Sequence, residues 1–326
     1  MPAWPISFDD VLAAERRIRP HLPPTALRHY PALDRALGGK LRALVKHENH
    51  QPTQAFKVRN GLSVMTALPA AEKRRGVIAA TRGNHGQGVA WAGKRLGVPV
   101  TICVPVGNSP VKNQAMRDLG ATVIEEGADY DESVTVAKRL VEERGLVMVH
   151  STQNRDVIAS AGTITLEMFD ERDDVDAMVV AVGGGSQAVG ALTVAREMAP
   201  DAPIFAVQAA GASAIHDGWH AGHKVAKESA TTFADGLATR NCYDMTFDAL
   251  RAGLAGFVTV TEDEIADAVR LMIGTTHNLA EGAGAAGLAG LRKLAPELAG
   301  RTVGIILSGA NIDEPVLARI LAGKTP

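Results

Sequence analysis

The feature that most constrains the fold of this chain is a regular alternation of short apolar runs with amphipathic segments, which begins at Gly76. The apolar runs predict buried strands, and the segments between them have helical periodicity. The predicted strands are 77–80, 100–104 and 121–124, and the predicted helices are 84–96, 110–119 and 130–144. Because parallel strands need crossover connections, which are usually helices, this order predicts an α/β fold.

A second series of the same kind follows the first. It comprises helices 157–169, 186–198, 262–277 and 284–294 and strands 177–182, 204–208 and 302–307. A helix-like segment at 7–17 and a strand-like run at 41–47 precede both series, whereas 209–245 has no clear pattern. Two such series predict two open, mainly parallel sheets flanked by helices. Ligands of such sheets bind where loops meet at the carboxyl ends of strands.

Composition limits the class of protein and its partners. The 326 residues are 46% hydrophobic and 21% charged, which is typical of a soluble globular protein. A net charge of −2 and the lack of a basic stripe argue against nucleic acid as a partner. A small molecule is therefore the expected ligand.

The cysteines and the N-terminus indicate the compartment. Cys103 and Cys242 suggest neither a disulfide framework nor a thiolate zinc site, so we interpret both as reduced structural residues. The first ten residues lack a basic segment followed by an apolar run, and no stretch of membrane-spanning length is free of charges and of Pro or Gly breaks. We expect a cytoplasmic protein without a membrane segment.

One lysine is the strongest candidate for covalent chemistry. Lys57 stands among small and aromatic neighbours in the segment 51–59, just before a helix-like run that begins near Val58. Burial at a cleft would lower the pKa of its amine and make it a nucleophile. We therefore interpret Lys57 as the source of a covalent imine. The alternative is a solvated lysine that opens an amphipathic helix.

A loop rich in glycine and polar residues, 81–88, follows the strand predicted at 77–80 and opens a helix. Its glycines allow the backbone to approach a ligand closely, and amides at a helix start favour a carboxylate. Asn84 can also donate to a phenolic oxygen. An ordinary turn is the weaker alternative, because three glycines and several polar side chains crowd into eight positions.

A glycine-rich turn at 183–186 follows the strand predicted at 177–182 and opens another helix. Successive backbone amides in such a turn, aligned with a helix dipole, form a cradle for phosphate. A dinucleotide site is less well supported, because the glycine spacing misses its fingerprint and the next strand ends in Gln208 where a carboxylate is expected. The phosphate of a smaller cofactor is the better interpretation.

Two further polar residues occur in apolar surroundings. Ser308 follows the strand predicted at 302–307 and could hydrogen-bond a ring nitrogen, or it could cap the helix that begins near Asp313. Glu281 could line the same site, or it could satisfy backbone amides in the first turn of a helix.

These separated motifs resemble those of the fold-type II pyridoxal-phosphate enzymes, and within them the serine/threonine dehydratase and serine racemase branch. The likeness covers nearly the whole chain and comprises the loop around Lys57 and the segments 83–86, 161–167, 183–186, 233–236, 260–264 and 308–311. His85 is similar to the dehydratase branch, whereas the cysteine-synthase branch usually carries Thr there.

The resemblance implies pyridoxal 5′-phosphate as the cofactor. Lys57 would form the Schiff base, and Phe56 would pack beside the ring. Asn84 would hold the 3′-oxygen, and Ser308 would face the pyridine nitrogen. The residues implied for the phosphate are Gly183, Gly184, Gly185, Ser186 and Gln187. The residues implied for the substrate are Thr81, Arg82, Gly83, His85 and Glu281.

The resemblance also implies an organisation in domains. A small domain, residues 76–153, would be inserted into a large domain made of residues 1–75 and 154–326. The family further suggests a homodimer. We expect a short helix at the end of the chain and no regulatory domain after it, so the chain resembles the short, catabolic form of the enzyme.

Departures from the family pattern bear on the reaction and on metals. Gln54 and Ala55 stand where the family usually has Gly-Ser. Arg82 replaces the serine that acts on the second face in racemases, which disfavours racemisation. Gln208 and Ala214 replace the carboxylates that bind a cation in this branch, and a neutral amide is a poor ligand for Mg²⁺ or Ca²⁺. We expect no metal site of the family type.

The sequence therefore predicts a pyridoxal-phosphate-dependent dehydratase that converts a β-hydroxy amino acid to a 2-oxo acid and ammonia. Serine or threonine is the default substrate, and a clamp by Arg82 on a second carboxylate would select a hydroxyaspartate-like acid. Alternatively, Arg82 pairs with a local acid or points to solvent. Three other functions stay open: an amino-acid racemase, a β-replacement enzyme, and a non-catalytic binding protein that has kept the fold.

Overall fold

The computed structural model describes residues 4–326, which form two separate sheets with helices on their faces. The strands are β1 Leu27–His29, β2 Arg42–His47, β3 Val77–Ala80, β4 Val100–Val104, β5 Thr122–Glu125, β6 Val147–Met148, β7 Ala177–Ala181, β8 Ile204–Ala209, β9 Gly256–Val260 and β10 Thr302–Leu307. The helices are α1 Phe8–Ile18, α2 Pro31–Ala36, α3 Lys57–Ala67, α4 Ala70–Arg75, α5 Asn84–Leu96, α6 Pro110–Asp118, α7 Tyr130–Arg144, α8 Arg155–Glu171, α9 Ser186–Met198, α10 Ala214–Ala221, α11 Asp244–Gly253, α12 Glu262–Thr276, α13 Gly282–Leu294 and α14 Glu314–Leu321.

The larger sheet has six strands in the order β1-β2-β10-β7-β8-β9. All neighbours pair in parallel except β1, which runs antiparallel to β2 at the edge. The central strand β7 reads Ala-Met-Val-Val-Ala, and its first four residues are buried. A strand covered by helices on both faces needs this continuous apolar sequence, because neither face meets water.

The smaller sheet has four parallel strands in the order β5-β4-β3-β6, all drawn from the chain between Val77 and Met148. The larger sheet takes its strands from both sides of this stretch. The predicted fold class, two open and mainly parallel sheets flanked by helices, is therefore confirmed.

Several short elements were not predicted from the sequence. They are the strands β1, β6 and β9 and the helices α2, α4, α10 and α11. The three strands lie at sheet edges. β1 and β6 have only three and two residues, whereas β9 pairs five residues with β8 but its burial does not alternate. The unpatterned segment 209–245 is partly helical, since it contains α10, but 222–234 has neither a helix nor a strand.

The two sheets are joined by the close packing of α3 against α5. A Cβ added at Gly88 would lie 2.4 Å from the carbonyl oxygen of Lys57, and one added at Gly61 would lie 2.7 Å from the carbonyl oxygen of Gly88. Only glycine at both positions lets the backbones approach this closely. Because α3 follows a strand of the larger sheet and α5 follows a strand of the smaller one, the contact fixes Lys57 beside the start of α5.

A buried network of charges holds the first turn of α3 from the other side. The guanidinium of Arg59 makes paired hydrogen bonds of 2.8 Å with Glu48 and of 2.7 and 2.9 Å with Glu167. Lys46 Nζ lies 2.8 Å from the same Glu167 carboxylate. Both acids raise the pKa of Arg59 against the effect of burial. Two cations and two anions balance, so none of these charges is left uncompensated in the core.

The close packing predicts a large effect from one added methyl group. We expect Gly88→Ala to lower the free energy of unfolding by roughly 1–3 kcal/mol, because the Cβ must push α3 and α5 apart. Urea titration followed by circular dichroism measures the change.

The matched control is Gly274→Ala. This glycine lies inside α12, is exposed, and has no atom within 4 Å of an added Cβ. Alanine is the better helix former by about 1 kcal/mol, so this variant should be as stable as the wild type or more stable. Equal stability of the two variants would contradict the role given to the contact.

Candidate functional site

A cavity of about 1010 Å³, part of it open to solvent, lies between the two sheets. Its walls include the segments that follow β2, β3, β7 and β10, so it lies at the carboxyl ends of strands from both sheets. Every residue singled out from the sequence for cofactor or substrate lines this cavity. Segments remote in the chain therefore meet at one place, as the sequence predicts.

Lys57 is the first residue of α3, one residue earlier than the helix start expected from the sequence. Its Nζ lies 4.6 Å from the centre of the Phe56 ring. Desolvation lowers the pKa of the amine from 10.5 to about 8. The lysine does open a helix, but its amine faces the cavity rather than bulk water, and a large share of it is neutral slightly above neutral pH.

The turn at 183–185 leaves no room for side chains. An added Cβ would lie 2.2 Å from the carbonyl oxygen of Gly236 at Gly183, and 2.0 Å from Thr152 Oγ1 at Gly184. Gly185 has φ +97°, a conformation that other residues rarely adopt. The three glycines therefore line the cavity with backbone alone.

Ser186 and Gln187 continue this wall as the first residues of α9, and both are buried. Within residues 4–326, Gln187 Nε2 is a buried donor without a hydrogen-bond partner. An unsatisfied donor beside a helix N-terminus suits an anion, since a buried N–H costs free energy when nothing accepts from it. The glycine turn and this donor fit the phosphate of pyridoxal phosphate.

Asn84, the first residue of α5, is held by side chains from two other segments. Its Nδ2 donates to Glu281 Oε1 at 2.5 Å, and its Oδ1 accepts from Asn311 Nδ2 at 2.8 Å. Burial raises the pKa of the Glu281 carboxyl to about 7, although Lys112 and the bond from Asn84 oppose that shift. Asn311 was not assigned a role from the sequence, although it closes the polar segment that follows β10.

The structure distinguishes between the alternative roles of Ser308 and Glu281 as helix caps and as residues of the cavity wall. Ser308 is not a helix cap, because α14 begins at Glu314 with Asp313 as its N-cap. The Ser308 hydroxyl is buried in the cavity wall and donates weakly, at 3.4 Å, to the carbonyl of Ala283. Glu281 occupies the N-cap position of α13, yet among the described residues its side chain makes no capping bond and reaches Asn84 instead.

The loop 81–86 is shaped by Thr81, whose Oγ1 accepts from the amides of Gly83 at 2.9 Å and Gly86 at 3.2 Å. His85 is buried, with Nε2 2.8 Å from the carbonyl oxygen of Val149. Burial and the nearby Lys57 amine lower the pKa of His85 to about 3, so its imidazole is neutral at physiological pH. Its Nε2 therefore donates to the carbonyl, and the ring supports the loop.

Arg82 forms part of the wall between this cavity and a smaller neighbouring one that Arg240 also lines. In the part of the chain that the structure describes, its Nε is buried and has no hydrogen-bond partner. A guanidinium in this state can still bind a carboxylate of a ligand through paired hydrogen bonds.

Part of the cavity wall is formed by charged contacts that sequence patterns did not reveal. Lys112 Nζ, on α6, lies 2.5 Å from Asp235 Oδ2. Burial works to lower the pKa of Lys112, but the neighbouring Asp235 carboxylate raises it. Ser109 Oγ donates to Asp313 at 3.1 Å from the same helix start. The sequence predicts a helix that contains Lys112 and another that begins near Asp313, but no local pattern marks either residue as part of a site.

The position expected for a family metal ligand has a different role here. Gln208 Oε1 accepts from the backbone amide of His216 at 3.0 Å, which ties the end of β8 to the first turn of α10. Within residues 4–326, no group of three or more His, Cys, Asp and Glu side chains is arranged to hold a metal ion. A search of the same residues finds no helix with the length and apolarity needed to cross a membrane.

Comparison with known proteins shows which family and which individual proteins this chain resembles. The family described as pyridoxal-phosphate dependent enzyme matches residues 18–309. L-threonine ammonia-lyase of Thermotoga maritima is 37% identical over 317 residues, which cover 97% of this chain and 78% of that protein. L-threo-3-hydroxyaspartate ammonia-lyase of a Pseudomonas species is 30% identical, with 97% and 99% covered. The solved structure of maize serine racemase has a TM-score of 0.91 at 28% identity and covers 98% of each chain.

The lowered pKa of Lys57 predicts the pH dependence of its reaction with an aldehyde. Only the neutral amine attacks, so we expect the rate at which the apoprotein bonds pyridoxal phosphate to rise with pH up to about 8 and to level off above it. Stopped-flow measurement of the visible absorbance gives the rate.

The Lys57→Ala variant serves as the control, because it reveals any contribution from other lysines. A rate that continues to rise toward pH of about 10, where ordinary lysines titrate, would show that the amine at position 57 is not desolvated.

Proposed function

We propose, since the chain belongs to the family of pyridoxal-phosphate-dependent enzymes, that it is an ammonia-lyase acting on a β-hydroxy amino acid, with a 2-oxo acid and ammonia as products. The observation that carries the proposal is the meeting of the Lys57 amine, the Asn84 amide, the glycine turn at 183–185 and the Ser308 hydroxyl around one cavity. These are the groups needed to hold one flat, phosphorylated aldehyde on several edges.

Several predictions from the sequence are confirmed by the comparisons. The cofactor and the membership of the dehydratase branch agree with the family match and with the ammonia-lyases that resemble this chain over most of its length. The comparisons therefore favour an enzyme over the alternative of a non-catalytic binding protein. The division into a small domain, 76–153, and a large domain, 1–75 with 154–326, remains a proposal, as do the roles of individual residues.

Lys57 has two roles in this proposal. Its amine would hold the cofactor at the aldehyde carbon, and when the amine is free it would accept the proton from the substrate Cα. A pKa of about 8 suits both tasks, because the amine is neither fully protonated nor too weak a base near neutral pH. The cofactor, when bound, supplies the electron sink for this proton removal.

Other residues hold the cofactor and shape the outcome of the reaction. Gly183, Gly184, Gly185, Ser186 and Gln187 bind the phosphate in this proposal, and Phe56 packs beside the ring. Ser308 would face the ring nitrogen with a neutral hydroxyl, which does not hold that nitrogen protonated as a carboxylate partner would, so the ring would be a weaker electron sink. Prompt loss of the β-hydroxyl group is therefore favoured over a long-lived carbanion.

The amides at the start of α5, in the loop of Thr81, Gly83 and His85, are proposed to bind the substrate α-carboxylate. Arg82 lies in the same loop with a buried Nε that lacks a partner among the described residues. We therefore place hydroxyaspartate-like acids, with a second carboxylate for Arg82, ahead of serine and threonine. The relatives include both kinds of enzyme, an L-threonine ammonia-lyase at 37% identity and an L-threo-3-hydroxyaspartate ammonia-lyase at 30%, so this order rests on Arg82 alone.

Racemisation is the second candidate, because maize serine racemase has the same fold. It requires a group that exchanges a proton on the face opposite Lys57, and Arg82 stands where racemases carry a serine hydroxyl. A guanidinium remains protonated at physiological pH and cannot take up that proton. Incorporation of deuterium from solvent into recovered substrate would favour the racemase.

The assembly, compartment and metal requirement are also proposals. We propose a cytoplasmic homodimer, which size-exclusion chromatography with light scattering can test. We further propose that catalysis needs no cation at the family metal position, because Gln208 is a neutral amide already bonded to the amide of His216.

The proposed reaction is tested by supplying the reconstituted protein with serine, threonine and both diastereomers of 3-hydroxyaspartate, without divalent cations, and measuring ammonia. We expect release from at least one of them and a fall of roughly 10³-fold or more in the Lys57→Ala variant, which lacks the base. Lys94→Ala, which removes an exposed lysine, is the control. No ammonia from any substrate would overturn the proposal.

The same assay tests the role of Arg82. If its guanidinium binds a side-chain carboxylate, Arg82→Ala should lower kcat/KM for 3-hydroxyaspartate by about 10²-fold, equivalent to roughly 3 kcal/mol, and leave threonine nearly unchanged. Arg155→Ala, which removes an exposed arginine, should change neither value. An equal fall for both substrates would assign Arg82 to the α-carboxylate instead.

A further inference from the structure

The side-chain amide of Asn84 is anchored at both its nitrogen and its oxygen. Glu281, at the start of α13, and Asn311, after β10, contact its two ends. We infer that Glu281 and Asn311 are positioning residues that hold the Asn84 amide in one orientation, with its remaining N–H directed at the oxygen on the cofactor ring. The inference rests on the proposed function, because it assumes that the cavity binds pyridoxal phosphate.

The hydrogen-bond partners determine this orientation without ambiguity. The carbonyl of Thr53 can only accept, so the Asn311 atom 2.8 Å from it must be the amide nitrogen. The same nitrogen lies 2.8 Å from Asn84, which must therefore present its oxygen. The nitrogen of Asn84 then faces the Glu281 carboxyl group at 2.5 Å.

A rotated Asn84 amide would be penalised at both ends. Its nitrogen would meet the nitrogen of Asn311, two donors facing each other, and its oxygen would meet the Glu281 carboxyl group, which repels it whenever that group is ionised. In the observed orientation one of the two N–H groups of Asn84 is used by Glu281. The other is left for a ligand, and Asn84 lines the cavity.

The segment after β10, which carries Asn311, is itself tied to the loop of Lys57. The Phe56 amide donates to the carbonyl of Ser308 at 3.0 Å, and the Ala310 amide donates to the carbonyl of Gln54 at 2.9 Å. The bond from Asn311 to Thr53 adds a third link. The amine of Lys57 and the amide of Asn84 therefore belong to one hydrogen-bonded unit, although they lie on helices that follow different sheets.

A glycine makes room for the Glu281 carboxyl group in this unit. A Cβ added at Gly309 would lie 2.4 Å from Glu281 Oε1, and the Glu281 amide donates to the carbonyl of Gly309 at 3.1 Å. The carboxyl group is buried, so its position is set by these contacts rather than by solvent. The packing therefore supports the orientation that the hydrogen bonds define.

The first test uses the holoenzyme and does not depend on activity. We expect Asn311→Ala to weaken pyridoxal-phosphate binding by roughly five- to tenfold, the value of one hydrogen bond, and to shift the visible absorbance band. Absorbance titration of the apoprotein measures both. Asn311→Asp is the second variant, since it keeps the shape but removes both donors, and it should have the same effects.

The control is Asn278→Ala, which removes an amide that bridges Tyr30 and Asn49 away from the cavity. We expect it to leave cofactor affinity and the absorbance band unchanged. A loss of affinity as large as that of the Asn311 variants would mean that the effect is a general loss of stability, and the inference would be wrong.

A double-mutant cycle distinguishes a positioning role of Asn311 and Glu281 from a general contribution of these residues to stability. If Asn311 and Glu281 act only through Asn84, then adding Asn311→Ala or Glu281→Ala to Asn84→Ala should cause no further loss of affinity. Additive losses would overturn the inference. Normal cofactor binding by the Asn311 variants would also overturn it while leaving the proposed function intact, whereas a wild-type protein that binds no cofactor would overturn both.

Discussion

The contact between α3 and α5 is the constraint on which the rest of this structure depends. Lys57 follows a strand of the larger sheet and Asn84 follows a strand of the smaller one, so neither sheet alone would bring the two residues together. Gly61 and Gly88 allow the two backbones to touch, and this contact places the first residue of one helix beside the first residue of the other. The position of the cavity follows from it, because the loops that precede both helices open toward the same space.

Two groups of hydrogen-bonded polar side chains then fix the parts of the geometry that helix packing does not determine. The buried charges around Arg59 hold α3 against β2 and α8, where burial makes each bond costly to break. The amides of Asn84 and Asn311 link the opposite side of the cavity to the segment before Lys57. Apolar packing tolerates small rotations of a helix, whereas hydrogen bonds between buried groups do not. The Lys57 amine and the Asn84 amide therefore keep one relative geometry.

The sequence was most informative where a pattern is local. The strand β7 and the glycine turn after it are encoded by consecutive residues, and their prediction succeeded for that reason. The edge strands β1 and β6 have three and two residues and are strands only because they pair with neighbours, so no sequence pattern predicts them. Ser308 shows the same limit, because its two interpretations could be separated only once the start of α14 was known. Lys112 and Asn311 become visible as site residues only in three dimensions.

The ion pair between Lys112 and Asp235 differs from the other charged contacts of the core in its access to water. It joins the helix α6 of the smaller sheet to the segment that follows Ala234, and its Asp235 side chain is 40% exposed. Dissolved ions screen a charge that water reaches, whereas the pairs around Arg59 are buried. Ionic strength is therefore expected to weaken this one contact in the cavity wall while it leaves the support of Lys57 unchanged.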